Sequence, residues 1–200
     1  MKHLIGVLIV CCLASVSQAD LYTFVMTNQD GAVWDNQSIG YYTNSTLVAT
    51  MYAYENGVGG WSNAGVMNSA SSTFGINASW ADTGTSTFDI WTAGNFGTEA
   101  LWVSFNQDVT FQTIKVSSFG TAETGLLVVA ASPLFFSANG TYTNSQTLSA
   151  GSFAVLSTVD MTSGNGWSLD NFTVETIPEP GTMAMLGMGL LGLALRRFRR

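Results

Sequence analysis

Short alternations of hydrophobic and polar residues recur through the middle of the chain, separated by clusters of Gly, Asn, Ser and Thr. A period of two is typical of β-strands with one buried face, and no long stretch shows helical periodicity. In LYTFVM, the alternation places Tyr22, Phe24 and Met26 on one face of a strand. The following TNQDG has the residues of a turn, so we predict the first strand here.

A hairpin is the prediction for ALWVSFNQDVTFQTIKVSSF, residues 100–119, because hydrophobic residues alternate on both sides of the polar NQD. Ile114 continues out of phase with Phe111. Since a slip of one residue would send every later side chain to the other face, we predict a β-bulge near Gln112 or Thr113. GLLVVAAS, GSFAVLSTV and the final GWSLDNFTVETI predict further strands.

About eight strands at this spacing predict an all-β fold in which two antiparallel sheets pack as a sandwich of the jelly-roll type. The stretch Asn56–Thr87 is rich in polar and small residues and is compatible with loops or with short strands. Both ends of the chain differ from this middle in composition. We therefore expect the sandwich at residues 20–176, flanked by an N-terminal signal peptide and a C-terminal hydrophobic helix.

The N-terminal segment, residues 1–19, has the features of a secretory signal peptide in the usual order. Lys2 gives a basic start, an apolar run extends from Leu4 to Ala14, and Ala19 is the small residue before Asp20. The run is too short to span a bilayer comfortably. We predict export by the Sec machinery and cleavage by signal peptidase between Ala19 and Asp20.

Cleavage there removes both cysteines and the single histidine of the chain. A domain with no His, Cys or Arg excludes Ser-His and Cys-His catalysis and histidine-bearing zinc sites. Between Asp20 and Ile177, twelve Asp or Glu residues accompany the single Lys115, which gives a formal charge of −11. Because nucleic-acid binding requires Lys and Arg to neutralise phosphates, the sequence argues against nucleic acid as a partner.

The C-terminal tail, residues 177–200, combines an apolar segment with a basic end. Gly181–Leu195 carries no charge, and as a helix its fifteen residues would reach about 23 Å. This is shorter than the usual span of about 20 residues, although a thin bilayer would accommodate it. Four arginines follow it, namely Arg196, Arg197, Arg199 and Arg200. Because basic clusters stay in the cytoplasm, the tail predicts a stop-transfer segment or a plain membrane anchor, with the domain outside.

Pro178, Glu179, Pro180 and Gly181 come at the start of this tail. A Pro-Glu-Pro element followed by a glycine-rich apolar segment and an arginine cluster resembles the PEP-CTERM sorting signal of Gram-negative bacteria. The resemblance implies that an exosortase recognises the Pro-Glu-Pro element while the tail sits transiently in the inner membrane. It also implies delivery to the cell surface or extracellular matrix, in association with exopolysaccharide and biofilm. Two prolines keep the element extended, which suits a protease-type groove.

All six tryptophans lie between the two ends, at positions 34, 61, 80, 91, 102 and 167. Flat aromatic faces beside amide side chains bind sugar rings through C–H contacts and hydrogen bonds. Trp61 and Trp80 lie in stretches rich in Gly, Ser and Asn, so they are candidates for contact with a polysaccharide. Packing over a loop is the alternative for both. Trp102 lies within an alternating strand, which predicts that it is at least half buried.

Pairs of carboxylates are the one catalytic option that the composition leaves. Asp82 with Asp89, or Glu99 with Asp108, would offer the acid and base that a glycosidase needs. Most acidic residues lie beside Gly, Asn or Thr, where the capping of solvated turns is their commoner role. We predict no catalytic residue.

Calcium is a second use for carboxylates, because Ca²⁺ takes oxygen ligands only. Asp30 and Asp170 would meet if the first and last strands are neighbours, and a structural Ca²⁺ there is the only cofactor that we consider. No loop with alternating Asp residues is present, and ordinary turn residues are the alternative.

Taken together, these features favour an exported surface or matrix protein that is not an enzyme. We expect a structural or adhesive role in exopolysaccharide or biofilm matrix. A carbohydrate-binding module that recognises matrix polysaccharide is the first alternative, and a matrix hydrolase with two carboxylates is the second.

Overall fold

A computed structural model describes residues 19–27, 32, 37–57, 60–62, 66–69, 73–77, 90–92, 98–119, 123–159, 165–177, 187 and 189. Within these residues the fold is built from fifteen strands, which are β1 (Leu21–Val25), β2 (Ile39–Asn44), β3 (Leu47–Gly57), β4 (Gly60–Ser62), β5 (Val66–Ser69), β6 (Phe74–Asn77), β7 (Ile90–Thr92), β8 (Thr98–Phe105), β9 (Val109–Ser117), β10 (Gly125–Val129), β11 (Ser132–Phe136), β12 (Gly140–Thr143), β13 (Thr147–Leu148), β14 (Phe153–Thr158) and β15 (Asn165–Thr176). Every described pairing is antiparallel. The predicted all-β, antiparallel class is confirmed.

Thirteen of these strands form one hydrogen-bonded sheet with two arms, and β5 and β6 form a separate pair. In the β9 arm, β15 lies between β1 and β9, and β12 and β13 pair with the other edge of β9. In the β8 arm, the order is β2, β3, β8, β14, β10, β11. The start of β15, Asn165–Trp167, pairs with β7, and β7 pairs with β8, so β15 links the two arms.

The hydrophobic core lies where the inward faces of the two arms meet. Phe24 of β1 stacks on Phe172 of β15, with ring centroids 4.9 Å apart within the β9 arm. The Phe24 ring also lies 5.1 Å from Tyr42 of β2 and 5.7 Å from Phe105 of β8, both in the β8 arm. Aromatic pairs at such distances stabilise a core beyond the burial of their area. The arms therefore pack against each other through aromatic side chains.

The first strand follows its predicted alternation. Tyr22, Phe24 and Met26 are buried, whereas Leu21 and Val25 are exposed. The predicted strands of GLLVVAAS and GSFAVLSTV also exist, as β10 and β14. In the polar stretch from Asn56 onward, the alternative of short strands applies to β4, β5 and β6.

The predicted hairpin at residues 100–119 is wrong. Both strands exist, as β8 and β9, but β8 pairs with β3 and β14 whereas β9 pairs with β15, β12 and β13. The connection Asn106–Asp108 instead crosses from one arm to the other. Asn106 accepts a hydrogen bond from Val48 N through Oδ1 and donates one to Thr46 O through Nδ2. Alternation reports only that each segment is a strand, so it could not exclude this crossing.

The predicted bulge is confirmed at Gln112. Thr173 pairs with Thr113 while the next residue of β15, Val174, pairs with Phe111, so Gln112 is the extra residue on β9. Its side chain donates a hydrogen bond to the Glu175 carboxylate at 2.7 Å. The extra residue allows Phe111 and Ile114, which are out of phase in sequence, both to be buried.

A second aromatic cluster surrounds Phe136, the last residue of β11. Its ring lies 4.9 Å from Trp167, 5.4 Å from Tyr142 and 5.9 Å from Phe119. Gly125 pairs with Phe136 across β10 and β11, and the ring covers the glycine so closely that an added Cβ would lie 2.0 Å from it. The absence of a side chain at position 125 therefore lets this ring settle onto the neighbouring strand.

Candidate functional site

The side of the β8 arm that faces away from the core is the outer face. Alternation along β3 sends Leu47, Ala49 and Met51 inward, where they are fully buried. The residues between them point outward, as do their partners on neighbouring strands. Three cross-strand rows make up the outer face, each aligned by the strand register.

The central row crosses all six strands of the arm. In order from β2 to β11 it consists of Ile39, Tyr52, Trp102, Val155, Val128 and Pro133. The row on one side of it consists of Tyr41, Thr50, Ser104 and Phe153. The row on the other side consists of Tyr54, Ala100, Ser157, Leu126 and Phe135.

Four aromatic rings in the middle of the outer face form one connected cluster. Trp102 lies 4.7 Å from Tyr54 and 5.6 Å from Phe153 between ring centroids. Tyr52 lies 5.6 Å from Phe153 and 6.2 Å from Tyr54. Ala100, the cross-strand partner of Tyr54, has no exposed surface.

Part of the outer face is open to solvent. Of the seven large hydrophobic residues that are exposed in the described chain, four lie here, namely Ile39 (42%), Tyr41 (58%), Phe135 (55%) and Phe153 (40%). None of the fifteen residues in the three rows is charged, and their only side-chain polar groups are hydroxyls and the indole N–H. Exposed apolar side chains gathered on one uncharged sheet face make it a candidate binding surface.

The side chains of the two predicted tryptophan candidates both lie outside the described residues. Trp61 lies in β4, opposite Asn56 of β3, and its side chain is outside the described residues. Trp80 is outside them altogether. Trp102, predicted to be at least half buried, is partly buried and faces outward within the aromatic cluster. Sequence reasoning missed the outer face because strand β3, which supplies Tyr52 and Tyr54, was not recognised.

The predicted calcium residue Asp170 carries a different interaction. It is the extra residue of a second bulge, since Leu169 pairs with Val116 and Asn171 with Lys115. One carboxylate oxygen of Asp170 lies 3.1 Å from Lys115 Nζ, and the other accepts a hydrogen bond from Ser117 Oγ. Asp30 is outside the described residues, and those residues contain no group of three or more His, Cys, Asp or Glu arranged for a metal ion.

The structure does not bring the predicted acid–base pair Glu99 and Asp108 together. Strand β8 separates them, and the six residue-to-residue steps from Glu99 to Phe105 already span about 20 Å. A glycosidase needs its carboxyl groups about 5–9.5 Å apart. Glu55 is the cross-strand partner of Glu99, but Glu99 has no exposed surface and Glu55 only 6%. Asp82 and Asp89 are outside the described residues.

Both ends of the domain lie at one end of the fold, here called the terminal pole. Asp20 precedes β1, and its carbonyl oxygen accepts a hydrogen bond from Thr176 N at 2.9 Å at the end of β15. Asp20 N in turn donates to Thr176 Oγ1 at 3.1 Å. One residue further, Ile177 N donates to Asp108 O at 3.0 Å. Regular structure therefore begins directly after Ala19 and continues up to the residue before Pro178.

The residues that follow Ile177 carry the predicted sorting motif and arginine cluster. Pro178 to Gly181 and Arg196 to Arg200 are outside the described residues, as is residue 1–18 of the predicted signal peptide. Of the predicted helix at 181–195, only Gly187 and Gly189 are described. Among the residues that the structure describes, no helix is long and apolar enough to cross a membrane.

Comparison with known proteins identifies the tail. A search of curated proteins found no match to the chain. The family model described as the PEP-CTERM protein-sorting motif matches residues 176–200, from the last residue of β15 to the final arginine. This motif indicates an extracellular protein that an exosortase sorts. The chain thus joins an acidic antiparallel β domain directly to a PEP-CTERM protein-sorting motif, as the Pro-Glu-Pro element, the apolar segment and the arginines predict.

Proposed function

We propose that this chain is a cell-surface or extracellular-matrix protein with a structural or adhesive role in exopolysaccharide or biofilm matrix. The observation that carries the proposal is the match of residues 176–200 to the PEP-CTERM protein-sorting motif. The motif follows an acidic β domain whose sequence lacks the His and Cys residues on which Ser-His and Cys-His enzymes depend. Such a domain has the properties of a matrix component: a net negative charge that keeps it soluble, and a surface available for contact.

The proposed route has three steps. The Sec machinery exports the chain, and signal peptidase cleaves between Ala19 and Asp20. The apolar segment 181–195 then holds the chain transiently in the inner membrane, with the arginine cluster in the cytoplasm. An exosortase finally acts at Pro178–Gly181 and releases the domain to the surface or matrix. The sequence order of these features supports the route, since the processing segments, residues 1–19 and 177–200, flank the domain at residues 20–176.

We further propose that the two arms are the two layers of a sandwich, in the jelly-roll style. The contacts of Phe24 with Tyr42 and Phe105 support this arrangement, because they join β1 to strands of the other arm. The domain then acts as a rigid, non-catalytic scaffold. Burial of Glu55 and Glu99 argues against this pair as the acid and base of a hydrolase, since a polymer in solvent does not reach their carboxyl groups.

A carbohydrate-binding module is the second candidate, and the outer face favours it. Aromatic rings with exposed hydroxyl groups contact sugars through both apolar C–H groups and hydrogen bonds. Tyr41 and Phe153 supply exposed rings on the outer face. This candidate uses the same export route and differs only in what the domain does on arrival.

Mass spectrometry of the C-terminal peptide tests the sorting proposal. The protein is recovered from the surface fraction of its host and of a strain that lacks the exosortase. We expect a peptide that ends near Pro178 to Gly181 only when the enzyme is present. An intact Arg200 in both strains would instead show a plain membrane anchor and refute exosortase sorting.

A further inference from the structure

We propose that the outer face of the β8 arm binds an uncharged polysaccharide, which lies across its strands and contacts the central row and the two rows beside it. The inference rests on the proposed function, because it assumes delivery to a polysaccharide-rich surface, and it names the class of polymer and the residues that contact it. Trp61 and Trp80 are not needed for it.

The chemistry of the outer face fits sugar rings. The rings of Tyr41, Phe135 and Phe153 are 40–58% exposed, so their faces or edges are available to a ligand. Sugar rings present C–H groups that pack on aromatic carbon and hydroxyl groups that exchange hydrogen bonds with the phenol groups of tyrosine. A purely apolar partner would form no hydrogen bonds with the hydroxyl groups of Tyr41, Tyr52 and Tyr54.

The dimensions of the outer face fit an extended chain better than a single sugar. The central row crosses six strands, and five strand spacings of about 4.8 Å give a width of about 24 Å. No pocket-forming loop is needed, because the register alone places Tyr52, Trp102 and Val155 side by side. A polymer lying across the strands would contact several residues of this row at once, which adds weak contacts into useful affinity.

Charge selects among the partners that such a surface could take. The three rows contain no Asp, Glu, Lys or Arg, so they offer no ion pair to a charged polymer. The domain around them carries a formal charge of −11, which repels anionic polysaccharides. The same charge opposes a face-to-face dimer, because two copies would bring equal negative charges together. A neutral polymer meets neither of these repulsions. We therefore assign the outer face to a neutral polymer and not to a second copy of this chain.

Retention on insoluble polysaccharides tests the inference. The full chain, extracted from its host in mild detergent, is incubated with microcrystalline cellulose, with insoluble β-1,3-glucan and with calcium alginate gel as the anionic polymer. We expect retention on at least one neutral polymer, none on alginate, and no loss when the salt concentration is raised. Salt matters little because it screens only charged contacts.

Three single variants and one matched control assign the binding to the outer face. Tyr41→Ala, Phe135→Ala and Phe153→Ala should each weaken retention at least fivefold, and the triple variant should abolish it. Leu21→Ala is the control: Leu21 is 65% exposed on β1 and lies in the β9 arm, so its loss should leave retention unchanged. All these side chains are exposed, and thermal unfolding of each variant confirms that the fold is retained.

Several results would overturn the inference. Absence of retention on every neutral polymer, equal retention of the triple variant and the wild type, or an equal loss in Leu21→Ala would each refute it. A dimer in size-exclusion chromatography that the triple variant dissolves would assign the face to a second copy instead. The C-terminal mass of each variant is measured in parallel. A correctly sorted chain that binds no neutral polymer refutes the inference alone, whereas a chain that is never sorted refutes the proposed function.

Discussion

Replacement of Gly125 by Ala should destabilise the domain by about 1–2 kcal/mol. A Cβ at this position would lie 2.0 Å from Cε2 of Phe136, 2.6 Å from Cδ2 and 2.9 Å from Cζ. The ring cannot simply withdraw, because Trp167 and Tyr142 lie 4.9 Å and 5.4 Å from it. Relief therefore requires a shift of the strand or of the whole aromatic cluster.

Two opposing effects set this magnitude. Forcing an extra methyl group into a well-packed interior costs about 1–3 kcal/mol. Alanine also restricts the unfolded chain, which returns about 0.4–1 kcal/mol wherever the native backbone suits it. Gly125 is such a position, since its φ is outside the left-handed region. The difference is a net loss of about 1–2 kcal/mol, which lowers Tm by about 2–8 °C for a domain of this size.

Urea unfolding followed by tryptophan fluorescence measures the effect. Gly140→Ala is the matched control, because the nearest atom to its added Cβ is a Tyr142 ring carbon at 3.9 Å; it should be neutral or slightly stabilising. Phe136→Leu should relieve the clash, so the double variant Gly125→Ala, Phe136→Leu should be more stable than the sum of the single effects by about 0.5–3 kcal/mol. Unchanged stability of Gly125→Ala, or strict additivity in this cycle, would refute the reasoning.

Four further substitutions test other parts of the fold by the same unfolding curves. Ala131→Gly should stabilise by up to about 1.5 kcal/mol. The φ of 64° at Ala131, in the β10–β11 turn, costs a residue with a Cβ about 1–2 kcal/mol, and the greater freedom of Gly in the unfolded chain offsets about 0.4–1 kcal/mol of this gain. Gly151→Ala, at a φ of 73°, should destabilise, and the opposite signs would contradict the turn geometry. Phe24→Ala should cost about 3–5 kcal/mol, since the ring is fully buried, and a loss under about 1 kcal/mol would disprove its place in the core. Lys115→Gln should cost under about 1 kcal/mol, because Lys115 is 51% exposed in its ion pair with Asp170, and a loss that persists at about 1 M salt would show that charge is not the cause.

Period-two patterning predicted β1 although the exposed face of this strand is mostly hydrophobic. Buried Tyr22 and Phe24 alternate with exposed residues, of which Leu21 and Val25 are hydrophobic. The phase change between Phe111 and Ile114 predicted a bulge near Gln112 or Thr113, and the structure places it at Gln112. The pattern does not show which strands pair with each other. Strands β8 and β9 are consecutive in the chain, yet they lie in different arms.

The outer face was hidden in the sequence for a physical reason. Strands with two hydrophobic faces lose the contrast on which alternation depends, and in β8 Trp102 lies between the buried Leu101 and Val103. A signal did exist in MYAYE, where Tyr52 and Tyr54 alternate with smaller inward residues. The sorting motif was predictable from residues alone, because its recognition depends on local order and composition and not on tertiary contacts.

The terminal pole determines how the domain would stand on a membrane. Because β1 starts and β15 ends side by side, both processing segments leave the domain from the same end, with Ile177 held to Asp108 directly before Pro178. In the tethered form proposed above, the strands would stand at a steep angle to the bilayer. The short connection between the domain and the apolar segment would limit how far the domain tilts. The outer face would then stand perpendicular to the membrane plane, at the same distance from the bilayer on every tethered copy. A polymer that lies along the cell surface could then contact the outer faces of several tethered copies at once. Cleavage at the motif would release each domain with the polymer already bound.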